Sequence, residues 1–486
     1  MASTLDFIII GIFGLSLLAV GFYASHKIKN NTDFALAGRN IRFPLLLGTL
    51  IGTSIGAAST LGKAGKAYEI GISLFLATMA YAVGLFLFGL MAPAIHRAKI
   101  WNVPDALFLR YGSAVRLVFA ITMMLSVTAL FGTQLIATGL AITSVMIDIN
   151  ITYSEAIIAA GVIMVIYTIL GGLLAVAYTD LIQTVVMLIA IGILLPIYII
   201  SDLGIDLTMS NLTPPENNFW GGLTPIYIVS IIIIDLLFSL IDPSLWQRAA
   251  AAKNPQVIRK AMFVTSGIYV YWSFVIVFLG TMASHILPDL TNRSGGIDAA
   301  IPELILLYMP AGIKGLCLAA MIAIMMSTAD TALLIAGTCF SRDIYRPLKP
   351  SANDATLLKV TRVVITIIGS LGIIFALYMQ NIFELVLLST AIFVSGAFVP
   401  TMAALFWHKA TKVGAIISSS VAAISVIVLY ALKISDLLPN YIEPIIVSMS
   451  LSLVLMIVIS QITYDPKFAT LRLLDFSSKK PQKQGC

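Results

Sequence analysis

A short polar cluster interrupts a long apolar segment of the chain, and its members are Ser327, Thr328, Asp330 and Thr331. The cluster lies near the middle of the hydrophobic run from about Gly312 to Phe340. At 100° per residue, Ile324 and the three hydroxyls share one stripe of a helix, with the carboxylate at its edge. Hard cations such as Na⁺ and Ca²⁺ take hydroxyl, carboxylate and free carbonyl oxygens. Hydroxyls alone are also typical of helix–helix contacts in membranes, but the added carboxylate favours a functional site.

The composition assigns the chain to the membrane. Of its 486 residues, 59% are hydrophobic and only 11% are charged, and apolar runs long enough to span a bilayer recur throughout. The sequence therefore predicts an all-α integral membrane protein with thirteen transmembrane helices. We place these helices at residues 5–25, 43–65, 71–95, 114–146, 152–170, 173–200, 224–247, 258–286, 311–340, 357–379, 381–407, 412–432 and 441–463.

The distribution of basic residues predicts the orientation. If the first helix enters from outside, 24 of the 29 Lys and Arg residues face the cytoplasm, as the positive-inside rule requires. The N-terminus is then outside and the C-terminus cytoplasmic, and we expect the plasma (inner) membrane. The five basic residues that fall outside are Lys63, Lys66, Arg293, Lys314 and Lys433. The net charge of +6 thus reflects topology and not nucleic-acid binding.

Two predicted helices carry helix-breaking residues in comparable places. Residues 48–56 read Gly-Thr-Leu-Ile-Gly-Thr-Ser-Ile-Gly, and an acid precedes a proline at Asp242-Pro243. The starts of these helices are five helices apart, so each opens a block of five, and the two blocks begin at opposite membrane faces. This pattern predicts a five-plus-five inverted repeat whose broken helices face a midplane binding site. Glycines at this spacing are also typical of close helix packing, but the second break favours the repeat.

The repeat divides the chain into four parts. We expect an extra transmembrane helix and cytoplasmic loop at 1–42, the ten-helix transport core at 43–407, two peripheral helices at 408–463 and a basic cytoplasmic tail at 464–486.

No motif in the sequence indicates membrane enzymology. There is no His/Cys cluster and no P-loop, and the three cysteines Cys317, Cys339 and Cys486 have no metal-binding spacing. Acids such as Asp180 and Asp235 nevertheless lie within predicted spans, where a charge costs several kcal/mol unless it is paired or hydrated. The sequence therefore favours transport over catalysis.

Four local stretches resemble the sodium:solute symporter family, which contains transporters of proline, pantothenate, sialic acid, sugars and choline. They are residues 34–40 (Phe-Ala-Leu-Ala-Gly-Arg-Asn), 171–180 (Gly-Gly-Leu-Leu-Ala-Val-Ala-Tyr-Thr-Asp), 246–248 (Trp-Gln-Arg) and 326–330 (Met-Ser-Thr-Ala-Asp) with 342–345 (Arg-Asp-Ile-Tyr). Their order and spacing cover nearly the whole chain. The resemblance implies a LeuT-type core and a sodium-coupled symporter that imports a small organic solute by alternating access.

The resemblance also implies where the coupling ion, Na⁺, binds. The implied ligands are the carbonyls of Gly52, Ile55 and Ile324 and the hydroxyls of Ser327 and Thr328. Some members bind a second sodium near an acid, and the corresponding positions are Asp180, Asp330 and Thr331. Asp330 stands where some relatives carry a serine, so it either strengthens a cation site or pairs with a basic residue.

The solute pocket is expected close to the sodium. By resemblance Ala58, Ser59 and Asp242 contribute to it, and we add Gln134 from its place on the fourth predicted helix. The polar pair of the sugar carriers and the tryptophan box of the choline carriers are both missing, so these solutes are disfavoured. The acid at 242 favours an amine, such as an amino acid or a betaine-like zwitterion. Lys63 and Lys66 would instead favour a carboxylate of the pantothenate type.

Two alternatives remain open from the sequence. Proton coupling through Asp180 or Asp330 predicts uptake that follows a pH gradient and ignores sodium. A solute sensor built on a transporter scaffold predicts binding without net flux, and no signalling domain is recognised in these residues. The expected partners are Na⁺, a small solute and the lipid bilayer, with no nucleic acid and no obligatory protein partner.

Overall fold

The chain folds almost entirely into helices, because a helix satisfies its own backbone N–H and C=O groups in lipid. The computed structural model describes residues 3–28, 30–145, 151–212, 224–293, 295–378, 382–435, 437–439 and 441–464, and within these ranges the only β-type pairing is one isolated bridge between Ile41 and Ala252. The helices are α1 (Thr4–Ser25), α2 (Asn31–Leu36), α3 (Phe43–Ser54), α4 (Lys63–Ile70), α5 (Leu74–Arg97), α6 (Val103–Tyr111), α7 (Ser113–Val145), α8 (Tyr153–Ile189), α9 (Leu195–Leu203), α10 (Ile205–Leu212), α11 (Pro225–Ile241), α12 (Pro243–Ala251), α13 (Pro255–Ile286), α14 (Ala300–Tyr308), α15 (Ile313–Cys339), α16 (Arg346–Leu348), α17 (Asp354–Tyr378), α18 (Ile382–Phe406), α19 (Lys412–Ile434) and α20 (Pro444–Thr463). Apart from Tyr464, the predicted basic tail lies outside the described residues, and so does Cys486.

The outward faces of the long helices are apolar. On α1, the side chains of Ile12, Leu15 and Phe22 are 63%, 68% and 64% exposed. Large apolar side chains exposed along whole helices are unfavourable in water and are expected where a helix faces lipid. The chain is therefore an integral membrane protein, as the composition predicts.

The predicted count of thirteen spans is not confirmed. Among the described residues, 11 helices are long and apolar enough to cross a membrane, or up to 12 if the bent pair of α3 and α4 is one span. Two helices predicted at 152–170 and 173–200 appear here as one helical stretch of 51 residues, Tyr153–Leu203. The count consequently depends on how this stretch is divided.

The 51-residue stretch folds back on itself at Gly172. This glycine has φ 54° and ψ −171°, a backbone conformation that residues with a Cβ rarely adopt. The hydroxyls of Tyr167 and Thr179 are 2.8 Å apart, although twelve residues of straight helix would separate them by about 18 Å. The chain therefore reverses between these two residues, where the sequence predicts a helix boundary.

Both predicted helix breaks are present. The helix α3 ends at Ser54, Ile55 has an extended backbone (φ −106°, ψ 100°), and the chain resumes as a helix from Ala58 at 60° to α3. The second break separates α11 from α12 at Asp242, whose side chain accepts a hydrogen bond of 2.8 Å from the backbone N–H of Ser244. This carboxylate caps the new helix, while Pro243 starts it with a pre-set φ and no donor to satisfy.

The first helix is joined to α15 by a buried carboxylate. One oxygen of Asp6 accepts hydrogen bonds of 2.7 Å from the backbone N–H groups of both Gly312 and Gly315. The other oxygen accepts from the backbone and the hydroxyl of Ser3, both at 2.7 Å. Asp6 is 0% exposed, so it satisfies free donors at the start of two helices at once. The helix that carries the polar cluster is thereby fixed at its first turn.

We predict that Asp6→Ala lowers the free energy of unfolding by about 1–3 kcal/mol, because buried N–H groups of α15 lose their acceptor. Thermal unfolding of the purified protein in detergent measures this change. The control is Asp206→Asn, which alters an exposed acid in the first turn of α10. An unfolding midpoint for Asp6→Ala equal to that of the control would contradict the assignment.

Candidate ion and solute site

Five oxygens meet where the break after α3 contacts α15. The hydroxyl of Ser327 lies 2.8 Å from the carbonyl of Gly52 and 3.0 Å from that of Ile324. The hydroxyl of Thr328 lies 3.5 Å from the carbonyls of both Ile55 and Ile324. Ser327 and Thr328 are 1% and 5% exposed. The five atoms that the resemblance implies as sodium ligands thus form one buried cluster, which we call the five-oxygen set.

The carbonyl of Gly52 is available because α3 stops. In a continuous helix the carbonyl of Gly52 would accept from the N–H of Gly56, but that N–H donates to the hydroxyl of Ser59 at 2.8 Å. The next N–H, that of Ala57, donates to the side-chain oxygen of Gln134 at 2.9 Å. Ser59 and Gln134, which the sequence predicts as solute ligands, therefore stabilise the break.

The chemistry of the five-oxygen set fits a monovalent hard cation. All five atoms are neutral oxygens, and each hydroxyl has two carbonyls within 3.5 Å to which its single proton can be donated. If both hydroxyl protons rotate away, only acceptors point into the cluster, which is the environment a cation without its water requires. Hydroxyl protons reorient at little cost, so the backbone need not move for this change.

The side chains of the second predicted set have different hydrogen-bond partners. The set consists of Asp180, Asp330 and Thr331. The hydroxyl of Thr331 accepts from the guanidinium of Arg248 at 2.6 Å. Asp330 turns instead towards Thr168, whose hydroxyl donates to its carboxylate at 2.9 Å. The side chains of the second set are thus divided between different partners.

Asp180 shares a polar neighbour with the guanidinium of Arg248. The hydroxyl of Thr49 donates to one oxygen of Asp180 at 2.6 Å and lies 3.4 Å from Arg248. The other oxygen of Asp180 has no hydrogen-bond partner among the described residues. Arg248 is 0% exposed, so a positive charge of the protein itself already lies in this region. Arg248 belongs to the stretch 246–248 that resembles the family, but the sequence does not indicate that its guanidinium lies close to Asp180 and Thr331.

A cavity adjoins the five-oxygen set. It contains about 970 Å³ of empty space, part of which is open to the surroundings. Thr328 belongs both to the five-oxygen set and to the cavity wall, so the two are contiguous. All of the residues predicted for the solute site line this cavity, namely Ala58, Ser59, Gln134 and Asp242.

The carboxylate of Asp242 is already hydrogen-bonded within the protein. One oxygen accepts from the backbone and the hydroxyl of Ser244, at 2.8 and 2.6 Å. The other accepts from the hydroxyl of Tyr81 at 3.1 Å. The helix cap therefore accounts for one oxygen and the contact with Tyr81 for the other, and the role of Asp242 as a solute ligand stays a prediction.

An ion pair in the cavity wall was not expected from the sequence. The ammonium of Lys63 donates to Asp235 at 2.9 Å and to the hydroxyl of Tyr269 at 3.1 Å. The sequence places Lys63 near the outer mouth, but the structure buries it to 5% exposure. Asp235 stood out as an acid within a span, yet nothing in the sequence indicated its partner, which lies 172 positions away.

Comparisons with known proteins identify the family of this chain. Residues 34–422 match the model of the sodium:solute symporter family. The chain is 24% identical over 468 residues to sodium/myo-inositol cotransporter 2 of Bos taurus, covering 84% of this chain and 67% of that protein. It is 25% identical to the protein of that name from Homo sapiens, covering 76% of this chain and 60% of the relative. The chain thus spans roughly three fifths to two thirds of the length of these relatives.

A solved structure has the same fold over almost its whole length. A Na⁺-coupled sialic acid symporter in a substrate-bound outward-open state matches with a TM-score of 0.78 and 19% identity, covering 95% of this chain and 98% of that one. The predicted all-α fold with a LeuT-type inverted repeat is therefore confirmed, except for the exact number of spans. The family and its neighbours are transporters, which also confirms that the chain is not an enzyme.

We predict that Gly56→Ala separates the two halves of the five-oxygen set. A Cβ at Gly56 would lie 2.7 Å from the hydroxyl of Thr328 and 3.2 Å from the side-chain oxygen of Gln134. Overpacking of this kind costs about 1–3 kcal/mol, and we expect a lower unfolding midpoint and a weaker stabilisation by NaCl. The matched control is Gly267→Ala in α13, where a Cβ meets nothing within 4 Å. Equal behaviour of the two variants would contradict the close approach at Gly56.

Proposed function

We propose, because this chain belongs to the sodium:solute symporter family, that it couples the entry of Na⁺ to the import of a small organic solute. The observation that carries the proposal is the contact of the broken helix with α15, through Ser327 and Gly52 at 2.8 Å. That contact assembles neutral oxygens beside a cavity that Thr328 also lines. The proposed ion site and the proposed solute site thus share a wall at Thr328.

The shared wall supports a mechanism based on linkage. An ion bound to the five-oxygen set would hold the end of α3 against α15 and so fix the cavity wall at Thr328. The solute would then bind better to the ion-loaded protein, and by reciprocity the ion would bind better to the solute-loaded protein. With the proposed orientation, N-terminus outside and C-terminus inside, inward movement of one Na⁺ gains about 2.3 kcal/mol per 100 mV of negative internal potential.

Release on the inner side would follow from loss of the ion. Without the cation, the hydrogen bonds between the end of α3 and α15 in the described residues are those of Ser327 and Thr328 to carbonyls and a long contact of 3.5 Å between the hydroxyls of Thr53 and Thr331. Each such hydrogen bond contributes only about 0.5–1.5 kcal/mol. Loss of the ion therefore favours separation of the two helices, which opens the cavity wall and frees the solute.

One coupling ion is the simplest form of this proposal. The second set, around Asp180 and Asp330, stays a prediction, because the charge of Arg248 lies beside Thr331. Proton coupling through these acids remains the alternative. It would give uptake that responds to a pH gradient in the absence of sodium.

We predict that Ser327→Ala and Thr328→Ala each abolish Na⁺-stimulated uptake in proteoliposomes, since each removes one of the five proposed ligands. NaCl should raise the unfolding midpoint of the unaltered protein relative to KCl, and this difference should disappear in both variants. The comparison of unfolding midpoints in NaCl and KCl, unlike the uptake assay, needs no knowledge of the solute.

The matched control is Thr338→Ala. This hydroxyl lies on the same helix, α15, but binds only carbonyls of its own helix, at 2.7 Å from Leu334 and 3.2 Å from Ile335. It should keep the full response to NaCl. An undiminished response in Ser327→Ala and Thr328→Ala would disprove the assignment of the ion.

A further inference from the structure

The ion pair of Lys63 and Asp235 is the polar feature of the cavity that the ion site leaves unexplained. Lys63 begins α4, just beyond the first break, and Asp235 lies in α11, seven residues before the second break at Asp242. The pair therefore connects the two broken helices directly. Both side chains line the cavity, with 6% and 18% of their surfaces exposed.

Each member of the pair has one unused hydrogen-bonding position. An ammonium has three donors, and Lys63 uses two of them, to Asp235 and to Tyr269. One oxygen of Asp235 accepts from Lys63, and the other has no partner among the described residues. A positively charged donor and a negatively charged acceptor are thus left without partners among the described residues, on two side chains that both line the cavity.

Several other polar groups of the wall are engaged elsewhere, although the buried hydroxyl of Ser54 has no partner among the described residues. The hydroxyl of Ser126 donates to the carbonyl of Ser389 at 2.9 Å, and that of Thr390 donates to the carbonyl of Val386 at 2.7 Å. Asp242 accepts hydrogen bonds on both of its oxygens, from Ser244 and Tyr81. The Lys63–Asp235 pair is therefore the part of the wall best able to bind a charged head group.

The remaining wall is largely apolar. It includes Val127, Leu130, Ile234, Phe238, Ile335 and Leu387. A polyol would place several hydroxyls against these side chains without partners, and each buried hydroxyl left unpaired costs roughly 1–3 kcal/mol. An apolar body suits this surface, and its burial is favourable.

The charges of the pair also limit the net charge of the solute. An anion placed on Lys63 would lie close to the carboxylate of Asp235, and a cation placed on Asp235 would lie close to the ammonium of Lys63. Two like charges in a poorly hydrated cavity repel strongly. A head group that carries both charges can set its carboxylate on Lys63 and its ammonium on Asp235, so that each charge meets its opposite.

We propose that the Lys63–Asp235 pair is the head-group site for the solute, and that the solute is a zwitterion with an apolar body, of the amino-acid class. This inference rests on the proposed symport function and specifies its substrate class. It assigns the carboxylate of the solute to Lys63, its ammonium to Asp235 and its apolar body to the side of α7 and α11.

The test is a binding screen of the purified full-length chain in saturating NaCl. The probes are the standard apolar amino acids, the amide and the N-acetyl derivative of each, and myo-inositol. We expect at least one free amino acid to raise the unfolding midpoint, and its amide and its N-acetyl derivative to bind at least ten-fold more weakly. Tight binding of myo-inositol, or of either derivative in preference to its parent, would overturn the substrate class. So would a complete lack of binding by all the amino acids.

Variants test the head-group site itself. Lys63→Gln should weaken binding of the free amino acid at least ten-fold and bring it within about three-fold of its amide, because the partner of the carboxylate is gone. Asp235→Asn should do the same for the free amino acid and its N-acetyl derivative. A merely structural role would weaken all ligands equally and leave these ratios unchanged. If a single variant does not fold, the double variant Lys63→Met/Asp235→Leu replaces the pair with apolar residues of similar volume, and it should lose amino-acid binding.

Two controls separate this inference from the proposed function. Lys66→Gln changes the neighbouring lysine, which pairs with Glu69 at 2.8 Å and does not line the cavity, and should bind amino acids as the unaltered protein does. Stabilisation by NaCl alone is measured for every variant. If NaCl does not stabilise the unaltered protein, the proposed sodium site is contradicted. If NaCl stabilises it but no amino acid binds, only the zwitterion site is contradicted.

Discussion

The structure depends on one contact between a helix that ends early and a helix that continues. Because α3 stops at Ser54, the carbonyl of Gly52 has no N–H of its own helix to accept from, and it meets the hydroxyl of Ser327 instead. A carbonyl without a partner would be costly in an apolar interior. The end of α3 is therefore stable only where polar groups of α15 reach it, and α15 is in turn fixed at its first turn by Asp6. The placement of the cavity follows from this contact.

The charged groups of the interior follow the same physical rule. Arg248 is fully buried, and the hydroxyls of Thr331 and Thr49 accept from it near the carboxylate of Asp180. Lys63 is nearly buried and is paired with Asp235. Taking charges out of water costs more than a single attraction returns unless further hydrogen bonds are made. Both groups keep unused hydrogen-bonding positions among the described residues, but of their four charged side chains only Lys63 and Asp235 line the cavity.

Much of this architecture can be predicted from the sequence. Apolar runs mark the spans, glycines and a proline mark the breaks, and the stripe of Ile324, Ser327 and Thr328 follows from helical periodicity. The resemblance to a transporter family adds Gly52 and Ile55 as their partners. The number of spans is not confirmed, because the two helices predicted on either side of Gly172 appear as one stretch that folds back at this residue. Prediction was wrong for the surroundings of Lys63, because hydrophobicity places a lysine at a helix end near water and carries no information about a distant acid.

The sequence alone determined which segments lie in lipid, where two helices break and which helix face is polar. These properties are local, since each depends on residues within a few turns of one another. Only the tertiary structure decided that Gln134 and Ser59 satisfy the N–H groups of the first break, that Asp242 caps the second, and that Asp330 turns away from Thr331. The pairing of Lys63 with Asp235 belongs to the same group. These contacts join residues on different helices or depend on the exact backbone at a break, and side-chain spacing along one helix does not specify them.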